Sequence, residues 1–453
     1  MPEDSATSHG AARQGQERAA ATPGPSAETV TGPVGSMDGR RAALTTFTAG
    51  ATLGLLVLLD VTYVLNAMDR QVFPVLVPAV RTAFGFSLSQ GGLLATIFTL
   101  GIGVIGLPAG LLLDRFPRKR MILGGIAIFS IFTLLQAVST GFADMAIYRI
   151  LSGAGEGLQN AALFAALGAF YQSRRGLALG TLNFSYGLGG FLGPFIGARL
   201  LTATGAWQAS FWLYGGIGVL LFLAVLFLVP HQFTDRSNAD PAVEATAGDI
   251  SSLKNRNIAA CAFAALIVGF CTYSYLGLYP TYLKAVLGYS TNEAGLAASM
   301  FGIGAMAGIP AGWLGDRFST RAVNIIALLG SMVSGGLLFN INGGIATQAA
   351  LSFLEGAFAS GFLYTNTYSL IQRAAPSNAI GKASGLFVAS LYIPAAVSGY
   401  VFAAEKTALG WGGAAILQLV CVPVLGIVAM ALIDRSRVRG ESRQPSPAPE
   451  SSR

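Results

Sequence analysis

The chain has 453 residues, of which only 11% are charged while 53% are hydrophobic, with 58 glycines besides. A soluble globule carries about 25% charged residues and needs polar surface that this chain lacks, which argues against a soluble enzyme, a nucleic-acid binder or a secreted scaffold. The formal charge of +7 then reads as the Lys and Arg excess that cytoplasmic loops of membrane proteins gather.

Residues 1–43 are rich in Ala, Ser, Gly and Pro and read as a disordered cytoplasmic tail without a cleavable signal peptide. Twelve apolar stretches follow, each long enough for the roughly 20 residues of a spanning helix. Those at 48–80, 88–113, 119–140, 143–171, 176–203 and 208–229 make an amino-terminal six-helix bundle over 44–229. Those at 257–287, 291–315, 321–341, 344–372, 379–405 and 411–433 make a second bundle over 257–433. The polar stretch 230–256 is a cytoplasmic linker, and 434–453 is a second cytoplasmic tail. All but six of the 28 basic residues fall on tails and loops that share one side with the amino terminus. The six are Arg70, Arg81, Arg149, Arg199, Lys284 and Lys406, and the bias predicts that both termini are cytoplasmic.

Helix 1 carries Asp60, Tyr63, Asn66, Asp69 and Arg70. Tyr63, Asn66 and Arg70 follow i, i+3, i+7 and share a face. The rigid donor fork of Arg70 suits a carboxylate or phosphate, so Arg70 is the candidate substrate-anion ligand, against a structural salt bridge with Asp69. Asp69 is a second titrating group or the resting partner of Arg70. Asp60 lies about 180° round the helix from Asp69 and either pairs elsewhere or faces a vestibule. On helix 2, Gly101-Ile-Gly103-Val-Ile-Gly106 matches a dinucleotide fingerprint but has no strand before it, and reads as close-packing glycine.

Helix 4 has one polar stripe: Arg149 and Glu156 two turns apart, continued by Gln159 and Asn160. A charge at the bilayer centre costs on the order of 2.5–3.5 kcal/mol, so Glu156 is the candidate proton carrier, against a structural ion pair that packs helix 4 on helix 1. Asn183-Phe-Ser185 spells a glycosylation site inside helix 5, where it cannot be glycosylated. Helix 7 carries Tyr273, Tyr275, Tyr279 and Tyr282, as belt anchors or substrate contacts, with Pro280 as a point of bending. Helix 10 carries Glu355 and the neutral pocket candidates Tyr364, Asn366 and Tyr368. Both histidines, His9 and His231, lie outside the apolar runs, which leaves proton chemistry to carboxylates. Cys261, Cys271 and Cys421 read as small buried hydrophobes. With no metal spacing, nucleotide loop or catalytic triad, neither a cofactor nor enzyme activity is expected.

The halves repeat. Gly106-Leu-Pro-Ala-Gly-Leu-Leu-Leu-Asp114-Arg115-Phe116 recurs as Gly308-Ile-Pro-Ala-Gly-Trp-Leu-Gly-Asp316-Arg317-Phe318. Just before these, Ser87…Gln90 and Ser290…Glu293 are both capping boxes. A repeat of six helices preserves orientation, so two parallel bundles with a substrate site between them are expected.

These residues resemble the major facilitator superfamily over nearly all of 44–433. Its signature after helix 2 stands as Gly110-Leu-Leu-Leu-Asp114-Arg115-Phe116-Pro117-Arg118-Lys119, and that of helix 4 as Arg149-Ile-Leu-Ser-Gly153-Ala-Gly155. The resemblance implies an all-α membrane fold of two pseudo-symmetric six-helix bundles. It also implies that Asp114, Arg115 and Arg118, repeated as Asp316 and Arg317, form a conformational latch. The Asp69-Arg70 pair with Glu156 is similar to the anion:cation symporters and to the spinster-like lipid transporters. Gly180, Gly189, Gly193-Pro194 and Gly197 resemble the antiporter motif of drug/proton exchangers.

The expected function is proton-coupled symport of a small organic anion, a carboxylate, across a bacterial-type inner membrane by alternating access. Glu156 and Asp69 would couple protons. Arg70, Tyr63, Asn66, Arg149, Gln159, Asn160, Tyr279, Tyr364 and Asn366 would contact substrate. Partners are the organic anion, protons and the bilayer, with no nucleic acid, and the protein is expected to be a monomer. A spinster-like lysolipid or sphingoid-lipid transporter, a drug/proton antiporter and a non-transporting receptor are the alternatives.

Overall fold

The computed structural model describes residues 48–171, 175–235, 253–376, 379–434 and 438. The amino-terminal tail, linker residues 236–252 and nearly all of the carboxyl-terminal tail lie outside the described residues. The described chain is helical throughout and contains no strand. We label its long segments α1 to α12.

In the first half α1 is Ala49–Phe84, α2 is Leu88–Thr96 continued by Phe98–Arg115, and α3 is Arg118–Ala137. They are followed by α4 (Phe142–Phe170), α5 (Arg175–Thr204) and α6 (Gln208–Leu228). In the second half α7 is Arg256–Ala285, α8 is Thr291–Ala305 with Gly308–Arg317, and α9 is Thr320–Leu338. Next, α10 joins Ile345–Glu355 to Thr365–Ala374 through a wide π-helical stretch, Gly356–Tyr364. The run Ile380–Ala415 breaks at Gly410 (φ 72°), which divides α11 from α12, and α12 continues through Pro423–Ala431.

Eight helical stretches among the described residues are long and apolar enough to cross a membrane. Residues of α4 fall outside that set, because Arg149, Glu156, Gln159 and Asn160 depress its mean hydropathy. The chain is a multi-pass membrane protein of two six-helix halves. Its outward faces carry Leu220, Phe227, Ile326 and Val333 in the open, as lipid-facing helices do. Cys421 departs from the expected burial: it is exposed on that face, whereas Cys261 and Cys271 are buried.

The repeat extends to backbone detail. The four positive-φ glycines, Gly85, Gly205, Gly288 and Gly410, turn the chain after α1, α5, α7 and α11. All four turns lie at the end opposite the start of α1 and the end of α12. Both expected capping boxes are present, at Ser87 with Gln90 and at Ser290 with Glu293. Within the first half a Cβ added at Gly101 would lie 1.9 Å from the Ile150 carbonyl oxygen, and one at Gly153 would lie 1.9 Å from that of Phe98. The equivalents 203 residues on are Gly304 against Phe353 (2.0 Å) and Gly356 against Phe301 (2.1 Å). Glycine at these crossings lets α4 lie directly on α2, and α10 on α8. The same packing accounts for two of the helix 5 glycines: Gly189 and Gly193 meet the backbone of α1 at Val64 and Met68, whereas Gly197 meets the Val72 side chain and a Cβ at Gly180 would meet nothing within 4 Å.

The two halves meet along two equivalent seams, α2 with α11 and α5 with α8. Gly92 lies against Gly399 backbone to backbone, and Gly302 against Gly187 and Phe191. Thr96 Oγ1 donates to the Ala396 carbonyl at 2.8 Å, and Thr202 Oγ1 meets Asn292 Oδ1 at 3.3 Å. Gly92, Thr96, Ala396, Gly399, Thr202 and Asn292 lie in the part of their helices nearer the positive-φ turns, so the halves are closed on each other at that end, while Gly187 and Gly302 lie near mid-helix.

Candidate functional site

At the centre of the first half a charged cluster joins α1, α3 and α4. Arg70 Nε donates to Glu156 Oε2 at 2.8 Å, with both side chains almost wholly buried. Ser152 Oγ, one turn before Glu156, lies 3.3 Å from Glu156 Oε1 and 3.1 Å from Asp69 Oδ2. Asp69 Oδ2 also accepts from Thr133 Oγ1 at 2.9 Å. One hydroxyl thus connects the two carboxylates. Asp69 and Arg70 are consecutive residues, about 100° apart on a helix, so their side chains meet different neighbours. The Arg70 carboxylate partner is Glu156, not Asp69.

The Glu156 contact occupies one nitrogen of Arg70. Its Nη1 and Nη2 are buried and have no hydrogen-bond partner in the protein, and Asp69 Oδ1 is likewise unpartnered. Orphaned buried donors on a cation are costly, so this pair of Nη atoms marks a place built to meet an acceptor. Tyr63, Tyr273 and Tyr392 lie within electrostatic reach of the same guanidinium. These tyrosines belong to the wall of a cavity between the halves, with Tyr186, Tyr364 and Phe164, and Arg70 is not itself in that wall.

The remaining candidates are placed as follows. Tyr63 and Tyr364 line the cavity. Asn66 and Gln159 bond each other (2.9 Å), and Gln159 bonds Thr62 (2.9 Å), so they brace α1 on α4 beside Glu156. Asn160 has a buried Oδ1 without a partner and is not in the cavity wall. Arg149 lies across Phe73 and Phe98, 4.0 and 5.0 Å from the ring centroids. It donates to Gln136 Oε1 (3.2 Å) and the Ala95 carbonyl (3.4 Å), which holds it between α2 and α3, and it is not in the cavity wall. Tyr279 bonds Gln348 (3.0 Å) inside the second half, and Asn366 bonds the Ala311 and Phe362 carbonyls (3.1 and 3.0 Å). Neither is in the cavity wall.

Of the latch candidates, Asp316 is paired with Arg373 of α10. Arg317 lies over Trp313 at 5.2 Å, Arg115 is exposed and Arg118 half-buried. The side chain of Asp114 lies outside the described residues. Lys119 is buried and donates to the Leu226 carbonyl at 2.9 Å. Glu355 accepts from Ser331 (2.8 Å) and Ser334 (2.6 Å) on α9, away from the cavity. Asp60 has an unpartnered, buried Oδ1 beside Thr181 and Ser185 of α5.

Several contributors had not been singled out. Ser152 was legible, since it lies on the Arg149–Glu156 stripe at i+3 and i−4. Thr133, Tyr186 and Tyr392 carried no local signal. The repeat sharpens the asymmetry of the site. Asp69, Arg70, Arg149 and Glu156 correspond, 203 residues on, to Thr272, Tyr273, Ser352 and Ala359. Of these Thr272, Tyr273 and Ala359 line the cavity. One half supplies charge, and the other a neutral aromatic wall carried partly by the π-helical stretch of α10.

Comparison with known proteins agrees with this architecture. The family model described as Major Facilitator Superfamily matches residues 59–399 and 261–452. A hexuronate transporter of Bacillus subtilis (strain 168) is 25% identical over 344 residues, covering 71% of this chain and 80% of the relative. The 3-(3-hydroxy-phenyl)propionate transporter of Escherichia coli (strain K12) is 24% identical over 407 residues, covering 86% and 95%. A 4-hydroxybenzoate transporter of Pseudomonas putida is 24% identical over 413 residues, covering 82% and 91%. Among solved structures, an inward-facing, unoccupied bacterial homolog of the human lysosomal transporter Spinster superposes with a TM-score of 0.69 at 18% identity. That likeness covers 85% of this chain and 97% of the other. A D-xylose-proton symporter gives 0.66 at 19% identity, covering 84% and 96%.

Proposed function

The chain belongs to the major facilitator superfamily, and on that premise we propose that this transporter is a proton-coupled symporter of a small organic carboxylate. The observation that carries the reading is Arg70, held at Nε by Glu156 while both Nη atoms stay buried and unpartnered, about two helical turns from the cavity-lining Tyr63 on the same face of α1. A guanidinium presents its Nη pair as a fork that matches the two oxygens of a carboxylate.

The coupling follows from charge. With the site empty, Arg70 and Glu156 neutralise each other, and the protein holds no net charge on that pair. An arriving carboxylate on Arg70 adds a negative charge where charge is costly. A proton on Glu156, beside Asp69 across Ser152, removes that excess and loosens the Nε contact, so that Arg70 turns fully to the substrate. Substrate anion and proton then cross together. Arg149 remains ionised within electrostatic reach of Asp69 and keeps the cluster from collapsing into repulsion between two carboxylates.

Tyr63, Tyr186, Tyr273, Tyr364 and Tyr392 around the cavity offer flat apolar faces with hydroxyl tips, which suits a ring-bearing acid. The named cargoes of the relatives, hexuronate, hydroxyphenylpropionate and hydroxybenzoate, are all carboxylates with a ring or several hydroxyls. Both termini would be cytoplasmic, in a bacterial inner membrane, with the closed end facing outward.

The test is uptake into proteoliposomes carrying an inward proton gradient, against a panel of benzoates, phenylpropionates and hexuronates. At least one should accumulate against its gradient with co-entry of protons. Glu156→Gln should abolish uphill accumulation but preserve exchange of labelled for unlabelled substrate. Undiminished uphill uptake by that variant would sink the assignment.

A further inference from the structure

Six basic residues lie away from the tails and loops of the terminus-bearing side. Arg70 and Arg149 belong to the central cluster. Arg199 stacks on Phe195 at 3.7 Å, and Lys406 on Trp411 at 5.5 Å. The remaining two, Arg81 and Lys284, are 203 residues apart and hold equivalent positions in the repeat, in the last turns of α1 and α7.

They line one open depression at the end of the positive-φ turns, together with Pro78, Thr82, Phe86 and Thr281. Arg81 uses its Nε on the Phe86 carbonyl (3.1 Å), and Lys284 donates to Thr291 Oγ1 (2.7 Å). Each keeps further N–H donors. Thr281 is 4% exposed, and its Oγ1 has no partner. The acid of the neighbouring turn, Glu293, is committed to its own helix start, where it accepts from Ser290 N and Oγ at 2.9 and 2.7 Å. A basic residue in a last helical turn offsets the helix dipole, but that role does not require both cations to face one depression.

Their position along the helices relates them to the centre. Eleven residues separate Arg81 from Arg70, and eleven separate Lys284 from Tyr273. Eleven residues bring a helix back to within about 20° of the same face, roughly 16 Å further on. On an ideal helix the outer cations stand above the Arg70 side of α1 and the Tyr273 side of α7, with Pro74 and Pro78 on α1 and Pro280 on α7 between.

We propose that Arg81 and Lys284 form an outer anion vestibule, which collects small carboxylates at the closed end and hands them down the α1–α7 face to Arg70 when the halves part. Its cargo rests on the symport reading above, but its attraction for anions does not. Two like charges on the rim of a low-dielectric cleft concentrate anions by roughly 10-fold or more, and salt screens the effect.

The experiment places a thiol in the depression by Thr82→Cys, an exposed position, in a background in which the exposed Cys421 is Ser. The rate of modification by an anionic methanethiosulfonate (the sulfonatoethyl reagent) is divided by that of the neutral methyl reagent, each scaled to a free thiol. The ratio should be well above one at low salt and fall roughly 10-fold in Arg81→Gln/Lys284→Gln. The neutral rate should stay unchanged, which reports an intact fold. Arg81→Lys/Lys284→Arg should keep the ratio high, and high salt should flatten it. A ratio at or below one in the parent, or the same ratio in the glutamine variant, overturns the vestibule. If the ratio behaves as expected but no carboxylate accumulates in proteoliposomes, the cargo reading falls and the vestibule stands.

Discussion

Arg70 and Glu156, 86 positions apart in the chain, meet through a single 2.8 Å Nε–Oε2 contact between side chains 0% and 1% exposed. A buried pair of this kind contributes little net stability, but breaking it from one side leaves an uncompensated charge. The contact uses one edge of the guanidinium and leaves the other edge open, which makes it a resting arrangement as much as a bond.

Removing one partner should therefore hurt more than removing both. Arg70→Gln should destabilise the protein by about 3–5 kcal/mol, because Glu156 is left buried without its cation. Arg70→Gln/Glu156→Gln should recover most of that loss while remaining inactive. Thermal unfolding of detergent-solubilised protein, followed by tryptophan fluorescence, reads both.

The cavity tyrosines test where the substrate sits. Tyr392→Phe and Tyr273→Phe each remove one hydroxyl from the cavity wall and leave the rings in place. A lost hydrogen bond to a charged group is worth about 1.5–3 kcal/mol, so the substrate KM should rise roughly 10-fold or more with little change in stability. Tyr279→Phe, whose hydroxyl bonds Gln348 inside the second half, should leave KM unchanged.

The seams predict a conformational phenotype. A Cβ at Gly399 would lie 2.3 Å from the Gly92 carbonyl oxygen, so Gly399→Ala should wedge the closed end open. Substrate binding should survive while net transport falls at least several-fold, and a thiol introduced near the α2–α11 seam should become reactive. Gly101→Ala meets equally close backbone within one half and should instead lower yield and thermal stability.

Glu355 should prove dispensable for coupling. Its two oxygens accept from Ser331 and Ser334 inside the second half, and a neutral amide of the same shape keeps much of that packing. Glu355→Gln should retain uphill uptake and its dependence on external pH, in contrast to Glu156→Gln. Loss of proton-driven accumulation in Glu355→Gln would move part of the coupling into the second half.

Much of the architecture was legible in the chain because it depends on local patterns. Apolar runs, capping boxes and the Asp114-Arg115 and Asp316-Arg317 repeat need no knowledge of neighbours. The polar stripes of α1 and α4 were legible for the same reason, since helical phase groups Tyr63 with Arg70 and Arg149 with Glu156. What phase does not supply is the rotation of one helix against another. Arg149 was therefore grouped with the substrate contacts, yet it lies over Phe73 and Phe98, away from the cavity wall. Thr133 and Tyr392 bear on the cluster from helices whose sequences carry no comparable signal.

The sequence by itself determined a membrane chain of two repeated helical halves and the few charges that cannot lie in loops, because hydrophobicity and periodicity are properties of neighbouring residues. The tertiary structure decided that Arg70 meets Glu156 rather than Asp69, that its Nη pair stays open, and that the facing half answers with tyrosines instead of charge. Those outcomes turn on how α1 crosses α4 and how the halves close on each other, which depends on contacts between residues up to 300 positions apart.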